Sequence, residues 1–233
     1  MQDRRPSPLD RARRTLARAG TRGPAELAEI ARERIGEWAR SDDELIMLVQ
    51  PATAPAPEVR HDPGLALRRA TRDDADEYER EIGTDAAATF RRRLTATTSC
   101  FLVHAGPQLL HASWVTTGAA WTREIGAYLV PPRGDAYVYE SFTRPEARGR
   151  GVYPFALTGI CEWARDTGAG NVWVAVEHGN APSLKAIRKA GFEESYTIRY
   201  GRRLGRLTLV VEKPPGVETP AIVRRLPADP PGG

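Results

Sequence analysis

Between residues 135 and 176 the chain changes its pattern three times, and that order limits the folds open to it. Ala136, Val138, Glu140 and Phe142 alternate with Tyr137, Tyr139, Ser141 and Thr143, the period-two signature of a strand. Arg148-Gly149-Arg150-Gly151 then makes a glycine-rich turn. From Val152 to Thr167, the residues Val152, Ala156, Ile160 and Trp163 recur at helical spacing, and Gly168 and Gly170 supply a stop. Asn171 to Val176 is again strand-like. A strand, a glycine turn, a helix and a strand in succession require a sheet with helical cover.

The turn itself suggests chemistry. Glycines let the backbone fold tightly and direct several N–H groups toward one point, and the helix that follows adds its partial positive end. Such a turn suits a diphosphate, to which Arg148 and Arg150 can add charge-assisted bonds. The same four residues also suit an ordinary turn with two solvated arginines, and spacing does not choose between the two. Neither a GxxxxGK[ST] loop nor a G-x-G-x-x-G fingerprint occurs.

The flanking sequence gives the organisation. Residues 24–40, with Leu27, Ala31, Ile35 and Trp38 on one stripe, predict an amphipathic helix, and Leu45 to Val49 a short strand. Residues 51–60, PATAPAPEVR, read as a proline–alanine linker, so the chain is expected to comprise a helical accessory segment over 1–60, a main domain over 61–213 and a disordered tail over 214–233. The apolar stripe of the first segment is expected to dock on the main domain or to form a homodimer contact. Within the main domain, a strand and then a helix across Ala66 to Ala75, helices near 84–96 and 181–190, and strands at 101–103, 109–116, 124–130, 192–200 and 207–213 predict a mixed, mainly antiparallel central sheet flanked by helices.

Composition adds exclusions. A hydrophobic share of 41% and a charged share of 27% are those of a globular chain. No charged start leads into an apolar secretory core, and no apolar run is long enough to cross a bilayer, so a cytoplasmic, membrane-free protein is expected. The net charge of +4 favours polyanionic partners in general. Seven arginines within residues 1–23 lack interleaved aromatics and read as a solvated face rather than a nucleic-acid arm. Cys100 and Cys161 read as buried thiols. The four histidines show no metal-binding spacing, so no metal is expected, and no G-x-S-x-G nucleophile elbow is present.

Two stretches in register resemble the GNAT acetyltransferase superfamily. Pro145-Glu146-Ala147-Arg148-Gly149-Arg150-Gly151 is similar to that family's acyl-CoA pyrophosphate loop. Asn180-Ala181-Pro182-Ser183 and Lys189-Ala190-Gly191-Phe192 are similar to its second signature. The resemblance is clear over 135–200 and absent before about 60. It implies a GNAT fold in which the backbone amides of Arg148 to Tyr153, through Gly149, Arg150, Gly151 and Val152, hold the diphosphate of acetyl-CoA or another acyl-CoA. It implies further that the strands near 136–143 and 172–176 splay to admit the pantetheine. Phe142 and Thr143 would meet pantetheine and thioester, Asn180 would approach from the opposite strand, and Ser183 would add a contact. Asn180 also suits a helix N-cap.

Glu140 is the candidate general base, since a protonated amine must lose a proton before it can attack a thioester. Two positions depart from the family pattern. Ile187 stands where many members carry a tyrosine that protonates the leaving thiolate, and Tyr153-Pro154 stands where a small residue is usual. His178 has no visible partner and reads as structural or solvated. Trp114, Trp121 and Tyr196 read as core or as the acceptor side of the cleft. The resulting expectation is an N-acyltransferase acting on a small-molecule or protein amine. O-acylation of a sugar or natural-product intermediate, a longer acyl donor, and a non-catalytic acyl-CoA-binding module stand as alternatives.

Overall fold

A computed structural model describes residues 40–226 apart from 56, 204 and 205. The helix expected over 24–40 falls outside the described residues except at its last position, which begins a strand. The chain divides into two compact units, one of residues 1–42 with 201–208, the other of 43–200 with 209–233. Nearly all of the strands and helices belong to the second.

The elements are β1 (Arg40–Pro51), β2 (Leu65–Arg69), α1 (Ala75–Glu81), α2 (Ala87–Arg93), β3 (Thr98–Ala105), β4 (Gln108–Thr116), β5 (Ala120–Thr122), β6 (Ala127–Val130), β7 (Ala136–Thr143), α3 (Val152–Asp166), β8 (Asn171–Glu177), α4 (Ala181–Lys189), β9 (Glu193–Arg203), β10 (Arg206–Glu212) and β11 (Ala221–Val223). Eight strands form one sheet in the order β10-β9-β1-β8-β7-β4-β3-β2. The pairs β1–β8, β2–β3, β3–β4 and β4–β7 are antiparallel, and β7–β8 is parallel. The mixed, mainly antiparallel sheet expected from the sequence is thus present.

Two boundaries are corrected. Residues 45–51 pair with 171–177, so the short strand before the prolines is a central strand of the main sheet and not part of an accessory segment. The physical reason is that Pro51 ends the strand and need donate no ladder hydrogen bond there. The chain after it bends away, with Ala54 N bonded to Pro51 O at 3.0 Å. The tail is also partly ordered: Ala221–Val223 pairs with Val130–Tyr128, completing a small second sheet β11-β6-β5.

The sheet is covered on both faces. Val115, Val138, Val174 and Ile46 meet Leu157, Ile160 and Ile187 from α3 and α4. On the other face Leu102, Ala112 and Trp114 meet Tyr78 and Phe90 from α1 and α2. Side chains alternating along β4 therefore serve two cores, and His111 and Ser113 share parity with Val115, on the side of α3.

Candidate active site

Strands β7 and β8 pair only through Ala136↔Val172, Tyr137↔Trp173 and Val138↔Val174. Beyond that last pair the two parallel strands no longer bond to each other, although β7 continues to Thr143 and β8 to Glu177. The paired end is held by Asp135, whose buried carboxylate accepts from Asn171 N at 3.0 Å and from Trp173 Nε1 at 2.8 Å. The opened end gives onto a cleft of about 1190 Å³.

On its other side β7 stays with β4, but not evenly. Trp114 faces Tyr139 and Ala112 faces Phe142, so Glu140 and Ser141 together oppose Ser113. This is a β-bulge, and Glu140 has φ +47°. The extra residue kinks the strand beside the cleft and leaves ladder groups unpaired.

The glycine turn closes one end of the cleft. Gly149 and Gly151 have φ of +78° and +76°, which glycine adopts at no steric cost. Phe155 N bonds Gly151 O at 3.1 Å, so the ladder of α3 begins there and the amides of Val152 and Tyr153 lead the helix without intrahelical acceptors. The amide of Arg148 is engaged by Pro145 O at 3.3 Å, which removes it from the expected diphosphate set and leaves Gly149 to Tyr153.

Two expected roles in this turn are corrected. Arg150 is ion-paired through Nε with Asp62 Oδ2 at 2.5 Å, and its carbonyl accepts from Asp62 N at 3.2 Å. It therefore anchors the turn to the chain behind it and does not line the cleft. A Cβ on Gly151 would lie 2.2 Å from Arg60 O, so glycine is required here by its neighbour and not only by a phosphate. A Cβ on Gly149 would meet no atom within 4 Å.

Phe142, Thr143, Arg148, Val152, Asn180 and Ser183 all line the cleft. Asn180 also caps α4, its side chain accepting from Ser183 N at 3.2 Å. Ile187 lines the cleft while packing into the core, only 1% exposed. Glu140 lines it too, about half exposed, with Oε2 at 2.6 Å from Arg93 Nη1. Arg93 also bonds Asp85, and its guanidinium lies 3.9 Å from the Trp114 ring centre. His178 is not a lining residue; its amide bonds Glu44 O at 2.8 Å. Of the three aromatics, Trp121 lines the cleft, whereas Trp114 and Tyr196 are buried.

Residues 64–193, over half of the chain, match the family model described as the acetyltransferase (GNAT) domain. The chain belongs to the GNAT acetyltransferase family. The GNAT fold and its acyl-CoA-dependent acyltransferase scaffold are therefore those of this chain. Over 48 residues, 21% of this GNAT chain and 25% of the relative, it is 38% identical to streptothricin acetyltransferase from Streptomyces lavendulae. It thus spans about a quarter of that relative's length. Among solved structures it is similar to a GCN5-related N-acetyltransferase from Sphaerobacter thermophilus, with 14% identity and a TM-score of 0.49 over 81% of this chain and 57% of that one. A putative GNAT-family acetyltransferase from Novosphingobium aromaticivorans gives 20% identity and a TM-score of 0.45 over 75% and 66%.

Several site residues of this GNAT domain escape a reading of the sequence. Arg93 is one of three successive arginines in a surface-like helix. His111 and Ser113 sit in an apolar strand where both look like interruptions of a core. Each is fully buried. His111 Nδ1 lies 2.7 Å from Thr143 Oγ1, its Nε2 lies 2.7 Å from Ser113 Oγ, and Ser113 Oγ lies 2.7 Å from Ser141 Oγ. The ring of His111 stacks on Tyr153 at 5.3 Å. The i, i+2 spacing of His111 and Ser113 is the available signal, since it places both on the α3 face. Burial pushes the Cys161 thiol up to about 12 and the Cys100 thiol up as well, so neither suits a thiolate mechanism.

Proposed function

We propose that this GNAT domain transfers an acyl group, acetyl in the first instance, from a coenzyme A thioester to an amine nitrogen within a ternary complex. The observation that carries the reading is the parting of β7 from β8 beside a glycine turn from which α3 starts, with the amides of Val152 and Tyr153 leading the helix. A diphosphate fits those amides, and the unpaired edges of the two strands fit the amide groups of a pantetheine. The cleft is lined by Arg93, Arg123, Arg148, Lys185 and Lys189 as well as by Asp85, Glu124, Glu140 and Glu177, so it offers opposite charge both to an anionic donor and to a cationic acceptor.

Glu140 is the residue we assign to remove the ammonium proton, directly or through a water. Its bond to Arg93 fixes the carboxylate, and the bulge turns it toward the cleft edge. In this reading, backbone amides at the bulge receive the charge that develops on the thioester oxygen. The acceptor is a small-molecule or protein amine, and the likeness to streptothricin acetyltransferase makes streptothricin the first to try, before a panel of small amines and lysine peptides.

The test is kinetic. Glu140→Gln keeps an oxygen for Arg93 but cannot take a proton. With an acceptor in hand, kcat should fall by roughly 10²-fold near neutral pH, acetyl-CoA affinity by titration calorimetry should hold, and the defect should shrink as pH approaches the amine's own pKa. Coincident pH–rate profiles for the two proteins would remove Glu140 from the reaction.

A further inference from the structure

A glycine turn that takes a diphosphate on its amides carries a difficulty of its own. With Gly149 and Gly151 both at positive φ, the freedom that lets the chain fold so tightly also lets it leave that shape. A loose turn would have to be ordered by the ligand, and that ordering would weaken binding. In this chain the turn is held by a segment remote from it in sequence.

The segment is Arg60-His61-Asp62, which stands between the end of β1 at Pro51 and the start of β2 at Leu65. Each of the three meets the turn or the helix that it opens. The Arg60 carbonyl lies so close to Gly151 that a Cβ there would come to 2.2 Å from its oxygen, and to 2.8 Å from His61 Cα. The His61 ring packs on Phe155 in the first turn of α3, with ring centres 4.6 Å apart. Asp62 takes hold of Arg150 twice. Its amide donates to the Arg150 carbonyl at 3.2 Å, and its Oδ2 accepts from Arg150 Nε at 2.5 Å. The Asp62 carbonyl oxygen in turn lies 2.7 Å from His61 Nδ1.

Arg150 stands between the two glycines, joined to each by a planar peptide. Fixing it through both backbone and side chain therefore restrains the pair. The fixing is done outside the cleft: Gly149, Gly151, Val152 and Tyr153 line the cleft, whereas Asp62 and Arg150 do not. Charge makes a second point. A guanidinium next to a diphosphate site is an obvious phosphate ligand, and Asp62 opposes that use by keeping its Nε on a carboxylate.

We propose that Asp62 is a positioning residue of the acyl-CoA site, which preorganises the diphosphate turn by bracing Arg150 from outside the cleft. Arg150 in this scheme is the part of the turn that is gripped and not a ligand of phosphate. The proposal rests on the reading of the turn as a diphosphate site. The two side chains are 39% and 41% exposed, so the ion pair alone is a weak bond. The expected effect is accordingly a few-fold change in affinity, joined to a local change in the mobility of the turn.

A double-mutant cycle on the full chain tests it, with Asp62→Ala, Arg150→Ala and the two combined. Titration with acetyl-CoA should give a Kd about fivefold weaker than wild type in all three, because either truncation opens the same brace and the second adds nothing. In the ligand-free proteins, amide hydrogen exchange from Gly149 to Tyr153 should be faster in each variant while the amides of β4 keep their rates. With an acceptor in hand, KM for acetyl-CoA should rise and kcat should hold, a split that a general loss of structure does not give. If Arg150→Ala weakens binding while Asp62→Ala leaves it unchanged or tightens it, Arg150 is a phosphate ligand in its own right and the brace is overturned. Losses that add in the double variant overturn it too, as do three variants with the Kd and exchange rates of wild type. A wild type that binds no acetyl-CoA overturns the diphosphate reading instead. The exchange rates of the ligand-free Asp62→Ala protein then decide the brace separately: faster exchange supports it, and unchanged exchange removes it.

Discussion

Burial gives His111 a measurable consequence for stability. In the unfolded chain an imidazole takes a proton near pH 6.5, whereas in the folded protein it does so only near 3. Between these values the unfolded state binds more protons, so stability must fall as pH falls from about 6.5 toward 3. The slope from this residue approaches about 1.4 kcal/mol per pH unit. Denaturant unfolding at pH 7, 6, 5 and 4 should show it, and His111→Gln should flatten it by that amount. The two glycines of the turn make a contrasting pair. Gly149→Val places its side chain into open space before the amides, so coenzyme A affinity should drop at least tenfold, with about 1–2 kcal/mol of backbone strain. Gly151→Val meets the Arg60 carbonyl and should unfold the turn itself, seen as a much larger loss of melting temperature. Residue by residue, the sequence makes the glycines, Asn180 and Ser183 readable because spacing in a motif carries them. It hides Arg93, His111 and Ser113, because their roles depend on neighbours distant in the chain, such as Glu140 and Thr143.

At the level of elements, the cleft depends on where two parallel strands stop pairing, and Asp135 fixes the end that stays closed. Asn171 donates to its carboxylate from N at 3.0 Å and from Nδ2 at 3.1 and 3.2 Å, and Trp173 Nε1 donates at 2.8 Å. Asp135→Ala leaves these buried donors unsatisfied, and a loss of about 3 kcal/mol is expected in equilibrium unfolding. If stability is unchanged, the β7–β8 junction is held by the apolar core alone. Gln50 makes the matching clamp from β1. Its amide faces the carbonyls of Ala190 and Gly191 at 2.6 and 3.3 Å, and a Cβ on Gly191, at φ +90°, would lie 2.8 Å from it. Gly191 therefore closes α4 in the left-handed conformation that favours glycine, with the Gln50 side chain packed against it. Strand and helix periodicities locate β4, β7, β8, α3 and α4 well. The bulge at Glu140 and Ser141 is invisible to them, since alternation along β7 continues in the letters while the register beside it slips.

For the whole molecule, the sequence pattern misleads most over residues 43–51. A proline-rich stretch commonly marks a boundary, and here it follows a strand whose partners are supplied much later, β8 on one side and β9 on the other. Removing residues 1–51 should therefore abolish the cooperative melting transition rather than trim an accessory piece; a truncated protein that melts as sharply as the full chain would show that β1 is dispensable. The order of helices and strands makes the fold class legible, whereas the ladder partner of an isolated apolar run is decided by every other strand competing for that edge. The place of β1 also bears on how the protein is made. Leu45 faces Glu177 and Pro51 faces Asn171, so during synthesis the strand waits until more than a hundred further residues have been added. At typical elongation rates that delay is on the order of 10 s. Throughout it, the run Leu45-Ile46-Met47-Leu48-Val49 is an exposed, strongly apolar segment with both edges unpaired, the kind that recruits chaperones or a neighbouring nascent chain. Yield on expression should thus respond to trigger-type holdases and to slower growth temperature more than the stability of the finished protein would suggest.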